Sequence, residues 1–316
     1  MLDTTRARTD RRVSRAGRRL GSWLAVAPGD PQPPKRPVSP APEGPIGVFD
    51  SGVGGLTVLH ELLVRLPGED FVYLGDTARF PYGERSVAEL RRYSLEVGEQ
   101  LVAAGAKLVV VACNSATSAA LAQLRHRVGE LAPGVGVIGV VGPESRLAVR
   151  ATRNQRIGLL ATPATVATGA YDRAVGELGL DIELVSVACP DLAPIIQGGF
   201  PFDQAVVDTV RAYCTPLRRA GVDTVILGCT HYPLVAPMLQ RTLGRGVTLV
   251  SSAAAVAQEV ERALDADGRA NRRSGEGDYR FLCTGDVDAF RALGTRFLQM
   301  PLGDVGAVAL PVPEAA

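Results

Sequence analysis

The sequence predicts an α/β protein made of two similar halves, each with a mainly parallel sheet covered by helices. Two observations predict this fold class. Short apolar segments alternate with longer segments of helical periodicity from Ile46 onward, which is typical of βαβ units. The pattern then restarts, because RIGLLAT (156–162) resembles the opening strand and DTVILGCT (223–230) resembles KLVVVACN (107–114). An internal duplication explains the repetition and predicts two α/β domains.

The elements of the first half follow from hydrophobic periodicity. Runs of β-branched and aliphatic residues bounded by turn residues predict strands. These strands span 46–50, 71–76, 107–114 and 135–141. Apolar residues at helical spacing lie between them, at 56–66, 86–104 and 116–130. Because each strand is followed by a helix, we expect the strands to run parallel.

The second half repeats this organisation and ends in a tail. Its predicted strands span 156–162, 182–189, 223–230 and 248–252, and its clearest helix spans 205–220. The tail contains a helix, a loop and a late strand, at 253–264, 267–278 and 279–285. We expect this tail to pack back on the first half. The predicted domains are therefore 46–140 together with 252–316, and 141–251.

The first 45 residues differ in composition from the rest. A run of arginines is followed by the proline-rich segment PGDPQPPKRPVSPAPEGP, which cannot form a helix interior or a central strand. We expect a disordered, basic, proline-rich extension at 1–45, and a start codon placed too far upstream would explain the same composition. A second interpretation is an arm that binds an anionic partner.

The bulk composition excludes several classes of protein. The chain has 316 residues and a formal net charge of +1, so no strong attraction to nucleic acid or acidic membranes is expected. No apolar run approaches the roughly 18 residues of a membrane span. Five cysteines without a CxxC pair indicate neither a disulfide framework nor a zinc site, and they favour a reducing cytoplasm. With three histidines no metal site is expected, and the position of Lys107 disfavours a pyridoxal Schiff base at the thiols.

Two cysteines carry the functional prediction. Cys113 and Cys229 each close an aliphatic run and precede small polar residues, which is typical of the strand ends where open α/β sheets bind ligands. One thiol from each half would face each side of a substrate. That arrangement suits removing a proton from one side of a carbon and returning it on the other. His231 follows Cys229 by two residues and Asp50 opens the first half, and either group can accept a thiol proton.

The remaining cysteines and the glycine turn have plainer interpretations. A lone cysteine is more often a small buried hydrophobe than a nucleophile. Cys214 in a helix pattern and Cys283 in a strand pattern are expected to pack, and Cys189 is ambiguous. The turn SGVGG (51–55) is either a plain strand-to-helix turn or a carboxylate site at a helix start, and its glycine spacing is not that of a dinucleotide fingerprint.

Five separated motifs resemble those of the glutamate racemases. They are IGVFDSGVGGLTVL (46–59), YLGDTARFPYG (73–83), VVACNSATS (110–118), IGLLATPATV (157–166) and LGCTHYPL (227–234). The resemblance implies a cofactor-independent enzyme that makes D-glutamate for peptidoglycan. It also implies two α/β domains related by a pseudo-twofold axis, with the active site in the cleft between them, and dimers are common in the family. The histidine of GCTHYPL favours this family over aspartate racemases, which usually carry Glu there.

The resemblance also implies which residues act. Cys113 and Cys229 would be the acid/base thiols, with Asp50 assisting the first and His231 assisting the second. Substrate contacts would come from residues of the matching motifs. These are Asp50, Ser51, Tyr82, Gly83, Asn114, Ser115, Thr230 and His231.

Two positions depart from the family pattern. Ser115 stands where the family usually has Thr, which keeps the hydroxyl and loses a methyl group. Gln197 stands where the family commonly has a Glu with a supporting acid/base role, and an amide cannot accept a proton in this way. Asp191, six positions earlier, is a carboxylate close in the sequence, and its distance along the chain argues against a direct replacement.

Two alternatives to glutamate racemisation remain open at this point. The first is a racemase of the same superfamily that acts on aspartate or another amino acid. The second is a binding or regulatory protein on this scaffold, since some glutamate racemases inhibit DNA gyrase, often through added N-terminal sequence. The basic segment at 1–45 would then be the part that meets gyrase or another anionic partner.

Overall fold

The computed structural model describes residues 43–179, 181–199, 203–271 and 273–310. The extension predicted at 1–45 lies outside these residues except for its last three positions. No helix in the described part of the chain is long and apolar enough to cross a membrane.

Ten strands form two sheets within the residues that the structure describes. In chain order, β1 to β5 span Ile46–Asp50, Phe71–Gly75, Leu108–Val111, Gly136–Gly139 and Arg156–Ala161. In the same order, β6 to β10 span Glu183–Ala188, Thr224–Gly228, Thr248–Val250, Tyr279–Cys283 and Val305–Ala307. The first sheet has the order β10-β9-β2-β1-β3-β4 and the second has the order β6-β5-β7-β8. Every pairing in both sheets is parallel, as the sequence predicts.

The strand orders support the duplication inferred from the sequence. The segment β2-β1-β3-β4 of the first sheet has the same order as β6-β5-β7-β8 in the second. In each half the strand before the cysteine loop, β3 or β7, therefore lies beside the opening strand, β1 or β5. Strands β9 and β10 from the tail extend the first sheet on its β2 side, so the tail packs on the first half as predicted. The domain boundaries themselves remain a prediction.

Eleven α-helices connect and cover the strands in the described part of the chain. In chain order, α1 to α6 span Leu56–Arg65, Val87–Ala103, Asn114–Leu131, Val141–Ala151, Pro163–Ala167 and Ala170–Gly176. In the same order, α7 to α11 span Leu192–Gln197, Gln204–Ala220, Ala236–Leu243, Ser252–Ala266 and Val287–Leu298. A continuous apolar cluster packs under both sheets, with Val48 and Val110 from the first and Leu160 and Val225 from the second.

The structure corrects the predicted ends of β3. The sequence pattern extends this strand to residue 114, but the strand ends at Val111 and α3 begins at Asn114. Cys113 is the N-cap of α3, and its sulfur accepts a hydrogen bond from the Ala116 N–H at 3.5 Å. A cap residue has extended backbone, so an aliphatic run that continues into a cap resembles a longer strand.

Lys107 lies at the start of β3, away from the strand end that leads to Cys113. Its ammonium is 2.7 Å from Glu69 Oε2 and donates to the Arg269 carbonyl at 2.7 Å. Both charged side chains are buried, and Glu69 Oε1 also accepts from the Asn271 N–H at 2.6 Å. This buried ion pair and its hydrogen bonds to Arg269 and Asn271 fix the loop after α10 against the start of β3.

We expect Glu69→Gln to lower the free energy of unfolding by about 3 kcal/mol, because it removes the buried charge that Lys107 pairs with. Urea unfolding followed by circular dichroism measures this loss. Glu183→Gln is the matched control, since Glu183 pairs with Arg156 at an exposed position and should cost less than about 1 kcal/mol. Equal losses in the two variants would contradict the assignment.

Candidate active site

The loops that follow β1, β3, β5 and β7 meet around one cavity. This is the carboxyl edge of both sheets, where parallel α/β sheets place their ligands. Residues from both halves line the cavity. They are Ser51, Phe80, Pro81, Tyr82, Gly83, Glu84, Cys113, Asn114, Ser115, Thr162, Pro163, Pro190, Ala193, Pro194, Cys229, Thr230 and His231.

Cys113 contributes one thiol to this cavity. The side chain is almost fully buried, and burial raises the pKa of Cys113 to about 12. The negative charge of Asp50 contributes to this raised value, whereas hydrogen bonds from the backbone of Ala116 and from Ser51 oppose the shift. This thiol therefore holds its proton at neutral pH.

Cys229 contributes the second thiol. Its sulfur lies 3.8 Å from His231 Nδ1, and burial raises the pKa of Cys229 well above its usual value. A hydrogen bond from the backbone N–H of His231 acts in the opposite direction. Burial also lowers the pKa of His231 to about 4, so the imidazole is neutral at pH 7 and keeps a lone pair on one ring nitrogen.

Gln197 sets the orientation of the His231 ring. Its carbonyl Oε1 lies 3.0 Å from His231 Nε2 and accepts the hydrogen bond from that nitrogen. The proton of the neutral imidazole is then on Nε2, which leaves the Nδ1 lone pair for the thiol of Cys229. Asp191 does not replace the missing family carboxylate, because it instead accepts a hydrogen bond from Tyr213. The Gln197 amide thus stabilises the Nε2–H tautomer of His231 without placing a negative charge beside it.

We expect Gln197→Glu to raise the pKa of His231 by roughly 1 to 3 units, because a carboxylate beside Nε2 favours the imidazolium. An NMR titration of the three histidine rings, assigned with a His231 variant, measures the shift. Gln100→Glu, at an exposed position of α2, is the control and should leave that pKa unchanged. An unshifted His231 in the Gln197 variant would contradict this geometry.

Asp50 lies behind the cavity and is not among its lining residues. The carboxylate is fully buried, and it accepts hydrogen bonds from the Gly52 N–H at 3.0 Å and from Thr230 Oγ1 at 3.2 Å. Burial raises the pKa of Asp50, and these hydrogen bonds act against that shift. Asp50 therefore joins the first glycine loop to the loop that carries Cys229.

Tyr82, Gly83 and Ser115 line the cavity on the side of Thr162. The Tyr82 hydroxyl donates to the buried carboxylate of Asp76, which fixes the ring. A Cβ on Gly83 would lie 2.8 Å from the Thr162 side chain, so only glycine fits between the two halves here. The Ser115 hydroxyl is 2.9 Å from Thr162 Oγ1, which forms a hydroxyl pair across the cavity wall.

Several residues of the site are missing from the sequence prediction. Thr162 follows β5 and could have been found from its place in the matching motif IGLLATPATV, since it occupies the position equivalent to Ser51 in IGVFDS. Glu144 and Tyr171 are buried on α4 and α6 and bond to Asn114, which no spacing in the sequence indicates. Phe80 packs its ring 5.7 Å from that of His231.

The other three cysteines are not among the residues that line the cavity. Cys214 lies within α8 and Cys283 ends β9, which confirms the elements predicted for them. Cys189 follows β6 and its thiol donates to the Val187 carbonyl at 3.5 Å. Among the residues that the structure describes, no group of three His, Cys, Asp or Glu side chains is arranged to hold a metal ion.

The duplicated parallel sheets and the shared cavity at their strand ends define an α/β enzyme, and comparisons with known proteins give its family. The model of the Asp/Glu/Hydantoin racemase family matches residues 55–260. The glutamate racemase of Beutenbergia cavernae is 47% identical over 272 residues, which cover 83% of this chain and 92% of that protein. This chain belongs to the Asp/Glu/Hydantoin racemase family.

Solved structures agree with this assignment. A glutamate racemase isoform from Bacillus anthracis superposes with a TM-score of 0.80 at 36% identity, covering 86% of this chain and 99% of that one. The glutamate racemase of Francisella tularensis, solved in complex with D-glutamate, gives a TM-score of 0.78 at 29% identity, covering 85% of this chain and 98% of that one. The predicted α/β fold with two parallel sheets is confirmed.

Proposed function

We propose that this protein is a cofactor-independent glutamate racemase that moves the α-proton between two thiols, those of Cys113 and Cys229. The observation that carries the proposal is that equivalent loops of the two halves each bring a cysteine into the same cavity. The relatives named above are glutamate racemases, which indicates glutamate as the substrate. The D-glutamate formed would serve peptidoglycan synthesis.

The reaction needs one thiolate and one thiol at the same time. The thiolate removes the α-proton of glutamate and becomes a thiol, and the electron pair of the C–H bond passes to the α-carbon and its carboxylate. The opposite thiol then gives its proton to the other face of the carbon and becomes the thiolate. The number of protons on the enzyme is unchanged, and the reverse reaction uses the same groups with their roles exchanged.

Each thiol has a different group to take its proton. Cys229 can transfer a proton to His231 Nδ1, while Gln197 holds the Nε2–H. Cys113 lies near Asp50, whose negative charge opposes a thiolate at Cys113. If the proton moves to Asp50, that repulsion disappears, and the raised pKa of the buried carboxyl favours this transfer.

Substrate binding would help to form the thiolate. Burial makes both thiols weak acids, and the α-ammonium of a bound glutamate would bring a positive charge close to them. An opposite charge in a site that excludes water favours the charged form of the sulfur. The N–H groups at the starts of helices, such as those after Cys113, can stabilise the carboxylate as negative charge grows on it.

The direct test is α-proton exchange. Purified protein is incubated with L-glutamate in D₂O without added pyridoxal phosphate, with ¹H NMR for the α-proton and chiral chromatography for the product. Loss of the α-proton signal together with D-glutamate formation is expected. Exchange with aspartate but not with glutamate would show that the substrate is aspartate. Exchange with neither amino acid would overturn the proposal.

The proposal also covers the oligomeric state, the cellular location and a second binding partner. We propose a cytoplasmic homodimer, as is common among the glutamate racemases that this chain resembles. Sedimentation equilibrium tests the dimer, and a monomer at micromolar concentration would contradict it. A gyrase or other anionic partner for 1–45 is tested by supercoiling assays with the full chain and with a chain that starts at Pro45, and equal, absent inhibition would contradict it.

A further inference from the structure

A buried polar cluster lies directly behind the cavity wall, and the thiol reaction does not use it. Glu144 in the first turn of α4 is fully buried, and its Oε2 accepts a hydrogen bond from the hydroxyl of Tyr171 on α6. Asn114, the first residue of α3, donates from Nδ2 to Glu144 Oε2 at 3.2 Å and to the Tyr171 oxygen at 2.7 Å. The cluster therefore connects a cavity residue to helices of the second half.

The hydrogen bonds divide the Asn114 amide into two sides. Nδ2 donates to two members of the cluster, Glu144 and Tyr171, so the donor side of the amide is committed. The acceptor Oδ1 is buried and accepts no hydrogen bond from any described residue. Asn114 itself lines the cavity. A buried amide oxygen without a partner is costly, and it is satisfied when a ligand brings a donor to it.

We propose that Glu144 is a positioning residue that, together with Tyr171, orients the Asn114 amide so that Oδ1 accepts a hydrogen bond from the α-ammonium of the substrate. This inference rests on the proposed function, because it assigns a recognition step to the same site. It gives the cavity a preference for a substrate whose α-substituent is a hydrogen-bond donor.

The orientation follows from the chemistry of Glu144. A flipped amide would place Oδ1 against Glu144 Oε2, and two acceptor oxygens in contact repel each other. Burial raises the pKa of Glu144 to about 8, but its protonated form can carry the proton on Oε1, which has no partner among the described residues. The ionised carboxylate, and the neutral acid with its proton on Oε1, both leave Oε2 as an acceptor for Asn114 Nδ2.

2-Oxoglutarate distinguishes orientation of the Asn114 amide by Glu144 from a purely structural role of Glu144. It has the two carboxylates and the chain length of glutamate, but its α-substituent is a carbonyl, which only accepts hydrogen bonds. Oδ1 of Asn114 therefore attracts the ammonium of glutamate and repels the carbonyl of 2-oxoglutarate. We expect the wild-type protein to bind glutamate at least about tenfold more tightly than 2-oxoglutarate.

The variants change the orientation of the amide and leave the thiols in place. Glu144→Met keeps the shape but removes the acceptor, and Tyr171→Phe removes the hydroxyl from the cluster and covers the case in which the first variant fails to fold. Each should weaken glutamate binding by about tenfold and leave 2-oxoglutarate binding unchanged or tighter. Glu144→Gln retains an acceptor oxygen, so its preference for glutamate over 2-oxoglutarate should stay within about threefold of wild type. Glu177→Met, at an exposed position after α6, is the control.

Calorimetric titration measures both ligands, and thermal melts report whether each variant is folded. Equal weakening of both ligands, or no change in either, would overturn the role of Glu144. The α-proton exchange of wild type separates this failure from failure of the proposed function. A wild-type protein that exchanges glutamate, with variants that keep the preference for it, contradicts only the positioning role. A wild-type protein that binds neither ligand contradicts both proposals.

Discussion

Replacement of either Cys113 or Cys229 by alanine is expected to lower the rate of glutamate racemisation by about a thousandfold or more, since positioned proton transfer contributes about 10²- to 10⁴-fold. The proposed reaction needs a donor and an acceptor on opposite faces of the α-carbon, and alanine supplies neither. Both side chains line the cavity and are nearly fully buried, so water cannot easily take their place. The rate is measured by polarimetry starting from each enantiomer.

The two variants should also differ from each other. The thiol that survives faces only one side of the substrate, so residual α-proton exchange in D₂O should involve opposite enantiomers in the two variants. Cys214→Ala is the matched control, because this thiol is equally buried but lies in α8 away from the cavity. We expect it to lower stability while kcat stays within about twofold of wild type. Full racemisation by the Cys113 or Cys229 variant would remove the two-thiol mechanism.

The two halves provide different surroundings for their thiols, although their strand orders match. Asp50 ends β1, whereas the equivalent strand β5 ends at Ala161, which has no polar side chain. The imidazole lies on the Cys229 side, where His231 approaches the sulfur. The duplicated fold thus supplies the twofold placement of the thiols, and the later differences between the loops supply two distinct proton acceptors.

The sequence predicts the strands and the thiol loops well because both depend on local pattern. Each cysteine stands where a buried aliphatic run meets polar residues, and parallel strands leave few other places for a ligand. Several helices are missing from the prediction because their first turns contain proline, as in α4 with Pro143, α5 with Pro163 and α9 with Pro237. Proline is compatible with a first helical turn, but in sequence it resembles a loop.

The remaining features of the site depend on contacts between distant parts of the chain. Glu144 and Tyr171 meet Asn114 only after α3, α4 and α6 have packed together. The contact between Asp50 and Thr230 likewise joins residues 180 positions apart. Neither residue type nor spacing identifies such partners, because these contacts form only in the tertiary structure.

Gly54→Ala is expected to lower kcat by roughly a hundredfold, because the first glycine loop passes directly beneath the Cys229 loop. A Cβ at this position would lie 2.3 Å from Thr230 Oγ1 and 2.5 Å from His231 Nδ1, which is far inside van der Waals contact. Both side chains are buried, so neither can move away into solvent. The added methyl group must displace the imidazole from the sulfur of Cys229, and a shift of about 1 Å can cost about 10²-fold in rate.

Gly129→Ala on α3 is the matched control for this prediction. A Cβ at Gly129 would have no atom within 4 Å, so the same substitution should leave kcat unchanged and raise the free energy of unfolding by about 0.5 to 1 kcal/mol. Steady-state kinetics and urea unfolding measure both variants. Because the effect of Gly54→Ala acts through the imidazole, kcat should fall more than KM rises. A Gly54 variant with wild-type kcat would show that His231 need not approach Cys229 for turnover.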